Sequence, residues 1–142
     1  MSNFFDLKNK IAIITGSSRG IGKGIAIRFA ELGAKIIISS RKIDACEQVV
    51  EEIIESGGTA SAFECNISNK NACENLINFA KEKYGKLDIL VCNAASNPYY
   101  GKLADIPDES FDKIMNNNVK SNLWLCKNAI PYLKVNKGGS SI

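Results

Sequence analysis

The chain has 142 residues, 45% of them hydrophobic and 23% charged, with a formal net charge of +3. That is the length and composition of one globular domain, and the charge is too small and too scattered to argue for nucleic acid. No histidine occurs, which excludes a Ser-His-Asp or Cys-His mechanism within these residues and argues against a catalytic zinc or other metal site.

No run approaches 18 consecutive apolar residues, so no membrane span is expected. The start, Met1 to Asp6, lacks a charged segment followed by an apolar run, so no signal peptide is expected either. The five cysteines, Cys46, Cys65, Cys73, Cys92 and Cys126, are odd in number and form no C-x-x-C pair. Free thiols in a reducing cytoplasm are the expectation.

Residues 10–15 read as a strand that is apolar on both faces, as a central parallel strand should be. It runs into Thr15-Gly16-Ser17-Ser18-Arg19-Gly20-Ile21-Gly22 and straight into a helix from Gly20 to about Leu32. Ile21, Ile25, Phe29 and Leu32 follow a 3.6-residue period, which predicts that they form its buried face, and Gly33 ends it. A strand, a glycine turn and a helix start form a place to receive phosphate, because the first helical N–H groups are unpaired and the dipole is positive there. An ordinary tight turn between strand and helix is the plainer alternative.

Lys35 to Ser39 is the second strand, and Asp44 to about Glu55 the second helix, with Val49, Val50, Ile53 and Ile54 apolar. Thr59 to Cys65 is the third strand. Ser68 or Asn69 caps a third helix through about Tyr84, with Cys73, Leu76, Ile77 and Ala80 facing inward and Gly85 closing it. Leu87 to Cys92 is the fourth strand. A loop with Pro98 and Gly101 leads to a long helix from about Glu109 to Leu133. Gly138-Gly139 is a break, and Ser140-Ser141-Ile142 opens another strand.

Strands alternating with helices predict an α/β, Rossmann-type doubly wound parallel sheet of order 3-2-1-4, with strand 5 only beginning. The crevice between the ends of strands 1 and 4 is then the switch point where ligands bind. At the end of strand 2 an acidic residue would bond both adenosine ribose hydroxyls and select NAD. Here Ser40, Arg41 and Lys42 occupy that position. Cations and hydroxyls suit a 2′-phosphate, and Arg19 in the glycine turn is placed to meet it from the other side, so NADP is expected over NAD. A solvated basic loop is the alternative.

The glycine segment resembles the T-G-x-x-x-G-I-G cofactor motif of the classical short-chain dehydrogenases/reductases. The similarity continues in order along the chain. Cys65-Asn66-Ile67-Ser68 resembles the family's strand-3 end, Val91-Cys92-Asn93-Ala94-Ala95 its N-N-A-G motif, and Asn116-Asn117-Asn118-Val119-Lys120 its N-x-N-[VL]-K segment. The resemblance implies that Gly16, Ser18, Arg19, Gly20 and Ile21 surround the pyrophosphate and adenosine ribose. It gives Asn66 and the Ile67 N–H to the adenine, although the family usually has Asp at position 66. Asn93 and Ala94 line the adenosine ribose. Asn118 is the Asn of the family's Asn-Ser-Tyr-Lys catalytic group; bonding to neighbouring backbone is its alternative role. Ser96 to Gly101 lines the substrate pocket, and its Asn-Pro-aromatic-aromatic-Gly run resembles carbonyl and retinal reductase-like members.

None of the four tyrosines is followed by Lys four residues on. Residues 1–142 are therefore expected to be the dinucleotide-binding, N-terminal portion of a longer single-domain enzyme, inactive alone. The implied reaction is hydride transfer between NADP(H) and a small carbonyl or alcohol, in a protein that is a homo-oligomer, dimer or tetramer, when complete. An isolated portion would expose a sheet edge and be aggregation-prone. A non-catalytic nucleotide-binding fragment is the competing expectation.

Overall fold

The computed structural model describes residues 4–135 and 140–141, the last two by backbone alone. The expected break at Gly138-Gly139 and the strand residue Ile142 lie outside the described residues. The elements in order are β1 (Ile11–Thr15), α1 (Gly20–Glu31), β2 (Lys35–Ser40), α2 (Ile43–Glu55), β3 (Thr59–Glu64), α3 (Lys70–Tyr84) and β4 (Ile89–Val91). A 3-10 turn (Leu103–Asp105), α4 (Asp108–Met115), α5 (Ser121–Val135) and β5 (Ser140–Ser141) follow. A π-helical turn, Asn116–Lys120, joins α4 to α5, so the expected long helix is one run with a widened turn inside it.

All strand pairs are parallel, and the sheet order is β3-β2-β1-β4-β5. The order reverses at β1, where the chain crosses from the β2 side to the β4 side. Alternation along each strand feeds two cores. Ala12, Ile14, Ile36 and Ile38 pack against Ala26 and Ala30 of α1 and Cys46, Val49 and Ile53 of α2. Ile13, Ile37 and Leu90 face the other way, against Leu76 and Ile77 of α3 and Leu125 and Ala129 of α5. Helices on both faces explain why β1 is buried throughout.

The face of α1 differs from its sequence reading. Gly22, Ala26 and Ala30 are its buried residues, while Ile21 is 79% exposed. Ile25 and Phe29 only flank the core. The helix seats its small residues on the sheet, which lets its backbone come close. A Cβ on Gly22 would run into the Gly16 carbonyl oxygen and reach 2.5 Å from Asn93 Nδ2. In α2, Ile54 is likewise exposed at 55%, and Cys46 replaces it in the core.

Turn chemistry fixes the joints. Asn69, rather than Ser68, caps α3 by accepting the Ala72 N–H at 3.0 Å. At the lower edge, buried Asp88 accepts the Ile11 N–H at 2.8 Å and pairs with Lys86 at 3.0 Å, closing β1 onto β4.

Candidate functional site

The upper ends of the strands enclose a cavity of ≈ 840 Å³, within the range of small-molecule and cofactor sites. Thr15 and Gly16 enter it from β1, Ser39 and Ser40 from β2, Cys65 and Asn66 after β3, and Asn93 and Ala94 after β4. Ser18, Arg19, Gly20 and Ile21 form one wall, and Arg41 and Ile67 also line it. The eleven residues assigned to the cofactor from sequence therefore meet in one cavity. Asn118 does not line it; its neighbour Asn117 does.

The β1–α1 turn has the geometry that can receive an anion. Gly16 has a φ of +65°, a left-handed conformation that L side chains adopt only with strain. A Cβ there would also sit 2.9 Å from the Ala94 Cα. Arg19 precedes α1 in extended conformation, makes no side-chain cap, and no acidic residue occupies the first turn. The first intrahelical bond is Lys23 N–H to the Arg19 carbonyl, so the N–H groups before it are left for a ligand or water.

The crevice at β1 and β4 is cross-braced by two side chains. The buried Thr15 hydroxyl donates to the Val91 carbonyl at 3.3 Å and accepts the N–H groups of Asn93 and Ala94, each at 3.0 Å. Asn93 Nδ2 donates to the Thr15 and Gly16 carbonyls at 3.0 and 3.1 Å. These bonds hold the glycine turn against the loop after β4. Sequence reasoning named Asn93 but gave Thr15 no role. Its signal was a buried hydroxyl at the end of an all-apolar strand, which must find partners.

Two assigned side chains are engaged locally. The Ser40 hydroxyl closes a turn with Lys42, accepting its N–H at 3.2 Å and donating to its carbonyl at 3.3 Å, and lies 3.2 Å from Cys46 Sγ. It shapes the Arg41–Lys42 turn. Asn66 Oδ1, the atom suited to an adenine amine, instead accepts the Ser68 N–H and hydroxyl at 3.1 and 2.8 Å.

The charge of the cavity is one-sided. Among the described residues, Arg19, Arg41 and Lys42 line it and no carboxylate does. Among the described residues, the ion pairs engage other cations: Lys23 with Glu52, Arg28 with Glu31, and Lys86 with Asp88. Cys65, which lines the cavity, is hydrogen-bonded to Cys73. The Cys65 thiol is pushed up first by its hydrogen bond to Cys73 and then by burial, while that same bond lowers Cys73. Burial, with Cys126 nearby, pushes Cys92 up to about 12.

A doubly wound parallel sheet with a glycine-turned helix start at its switch point defines a Rossmann-type fold. The chain belongs to the short chain dehydrogenase family, whose model matches residues 10–142. It is 39% identical over 136 residues to dehydrogenase/reductase SDR family member 4 of Oryctolagus cuniculus, covering 96% of this chain and 52% of that protein. It is equally 39% identical over 136 residues to the short-chain dehydrogenase/reductase SDRA of Arabidopsis thaliana, covering 96% and 53%. Among solved structures, a 7α-hydroxysteroid dehydrogenase complexed with NADH and 7-oxo glycochenodeoxycholic acid superposes with a TM-score of 0.92 at 40% identity. That match covers 99% of this chain and 55% of the other. A metagenomic short-chain oxidoreductase in complex with NADP superposes with a TM-score of 0.88 at 28% identity, covering 94% and 61%. The chain thus spans about half the length of the curated relatives it matches. The family comprises oxidoreductases that bind nicotinamide cofactors and act on small molecules. No helix among the described residues is long and apolar enough to cross a membrane.

Proposed function

We propose that this chain is the dinucleotide-binding portion of an NADP(H)-dependent oxidoreductase that interconverts a small carbonyl compound and its alcohol. The observation that carries the cofactor choice is the set of cations at the end of β2 and in the glycine turn. Arg41, Lys42 and Arg19 share a cavity that no carboxylate among the described residues lines. An acidic side chain there would select NAD through the ribose hydroxyls and repel a 2′-phosphate; this cavity favours the phosphate. The fit extends to the rest of the cofactor's adenosine half. The unpaired N–H groups at the start of α1 and the bare backbone of Gly16 suit the pyrophosphate, and Asn93 and Ala94 suit the ribose. When bound, the nicotinamide cofactor supplies or accepts the hydride.

The chain's own residues bind and orient. Thr15 and Asn93 fix the crevice, and the Arg41–Lys42 turn provides phosphate contacts. Asn118 is proposed to support catalysis through its place in the widened turn rather than by lining the cofactor cavity. No tyrosine in these 142 residues carries a Lys four positions later, so the acid–base step is assigned to residues outside them. The chain alone is then a nucleotide binder without turnover, and in the complete protein we place it in the cytoplasm as a homo-oligomer. The exposed stripe of Phe111, Met115, Val119, Leu123 and Ile130 along α4 and α5 supports self-association.

The test is binding of NADP+ and NAD+ to the protein and to Arg41→Ala. Loss of one charge-assisted phosphate contact should weaken NADP+ by about 10- to 100-fold and leave NAD+ nearly unchanged. Equal losses for both cofactors would remove the 2′-phosphate role. NADPH turnover by the 142-residue chain would contradict its assignment as a binder alone.

A further inference from the structure

Ser96 is held at its N–H, its carbonyl and its hydroxyl oxygen, and keeps a proton to give. It stands in the loop after β4, part-buried, and lines the cavity together with Asn117 of the widened turn. Asn118 takes both of its backbone groups. Asn117 Nδ2 donates to its hydroxyl oxygen at 2.8 Å. Asn117 is itself fixed: it is 8% exposed, and its carbonyl accepts the buried Ser121 hydroxyl at 2.6 Å. A serine hydroxyl carries one proton and can accept at the same time. Its oxygen already receives the Asn117 amide, and among the described residues no acceptor takes its proton. The hydroxyl therefore offers a donor to the cavity, from an oxygen whose place the amides set.

The wall on which Ser96 stands decides what that donor can meet. The pyrophosphate belongs at the glycine turn after β1, and the phosphorylated adenosine on the β2 side, where Arg41 and Lys42 stand. A dinucleotide bound across a switch point extends its second nucleoside to the other side, over β4 and the loop that follows it. Ala94 packs against the glycine turn, its Cα only 2.9 Å from where a Cβ on Gly16 would sit. Ser96 is two residues farther on, no more than about 7 Å along the chain. The first group past the pyrophosphate in that direction is the second ribose, whose hydroxyl oxygens accept hydrogen bonds. The nicotinamide lies one glycosidic bond farther out.

Resting on the NADP(H) reading above, we propose that Ser96 is a cofactor-binding residue whose hydroxyl donates to the ribose that carries the nicotinamide. Asn117 is the positioning residue for this contact, because its amide holds the oxygen and leaves the proton to the ligand. A hydroxyl that served only as a partner for the Asn117 amide would alter stability. It would not discriminate among ligands that share one adenosine half.

The experiment measures dissociation constants by calorimetry for three ligands with the same phosphorylated adenosine and pyrophosphate. They are NADP+, 2′-phospho-ADP-ribose, which lacks the nicotinamide, and 2′-phospho-ADP, which lacks the second ribose as well. Ser96→Ala should weaken NADP+ and 2′-phospho-ADP-ribose by about three- to tenfold and leave 2′-phospho-ADP within about twofold. Ser96→Cys, whose thiol is a weak donor, should show the same pattern, and it takes the place of the alanine variant if that one does not fold. Equal losses for the three ligands, or no loss for any, overturns the ribose contact and leaves the NADP(H) reading standing. A loss for NADP+ alone overturns it too, by moving the contact to the nicotinamide ring. An unaltered protein that does not bind 2′-phospho-ADP overturns the reading of the adenosine half first, and the ribose contact with it.

Discussion

The Asn118 side chain holds both backbone groups of Ser96. Its Oδ1 accepts the Ser96 N–H at 2.8 Å, and its Nδ2 donates to the Ser96 carbonyl at 2.8 Å. Asn117, next in the π-helical turn, donates from Nδ2 to the Ser96 hydroxyl at 2.8 Å. The widened turn therefore points two successive side chains at one residue, and the loop after β4 is clamped to the α4–α5 run. Asn118→Ala would strand a donor and an acceptor together, in a part-buried site. A loss of roughly 1–3 kcal/mol is expected, with faster amide exchange at Ser96. Denaturant titration and exchange measurements check this; a variant within about 0.5 kcal/mol of the parent would mean that water replaces the clamp.

Two glycines in α1 should respond in opposite directions to the same added methyl group. Gly22 lies where a Cβ collides with the Gly16 carbonyl and Asn93 Nδ2, both parts of the cross-braced crevice. Gly22→Ala should destabilise the fold by several kcal/mol, on the order of a severe overpacking change, and weaken nucleotide binding. Gly24 has open space around the same position. Gly24→Ala should stabilise by about 0.5–1 kcal/mol, because alanine restricts the unfolded chain and favours helix. Melting temperatures of the two variants decide it. A neutral Gly22→Ala would show that α1 can withdraw from the sheet.

That pair also shows what was legible in the sequence and what was not. The strand–helix alternation, the sheet order and the boundaries to within a few residues follow from apolar runs and glycine stops. The inward face of α1 did not, because Ile21, Ile25, Phe29 and Leu32 carry the hydrophobicity while Gly22, Ala26 and Ala30 carry the contact. Periodicity weighs side-chain size, and a helix laid close on a sheet needs the lack of it. The glycine turn was readable because close backbone approach restricts residue type. Roles that rest on hydrogen-bond direction stayed hidden. The bracing by Thr15 and the turning of Asn66 Oδ1 onto Ser68 depend on where neighbouring segments bring their amides, and no pattern within one segment encodes that.

Alkaline pH should weaken the fold through Cys92. Its thiol ionises near 9.0 when unperturbed, and burial with the Cys126 neighbour raises it to about 12. A group whose folded pKa is raised contributes fully below the unfolded value and loses that contribution as pH rises. Between pH 9.0 and about 12 the unfolded chain has released this proton and the folded chain has kept it. Stability should therefore fall by at most about 1.4 kcal/mol per pH unit from this group. In Cys92→Ala, which has no such proton, stability should fall less steeply over the same window. Identical slopes for the parent and the variant would assign the loss to other groups, such as Cys65, which is also pushed up.

Asn66→Asp should tighten binding of both cofactors. In the present arrangement the one oxygen of the Asn66 side chain accepts twice from Ser68, at 3.1 and 2.8 Å. The remaining amide nitrogen is a donor, which cannot pair with the adenine amine, also a donor. A carboxylate would keep one oxygen on Ser68 and offer the other to the adenine. It would also place negative charge just before the N-terminus of α3, the favourable end of the helix dipole. Adenine is common to NADP+ and NAD+, so both dissociation constants should fall together, by about 3- to 10-fold, and their ratio should hold. Calorimetric titration of the variant with each cofactor checks this. A gain confined to NADP+, or a loss of both, would place the adenine away from Asn66.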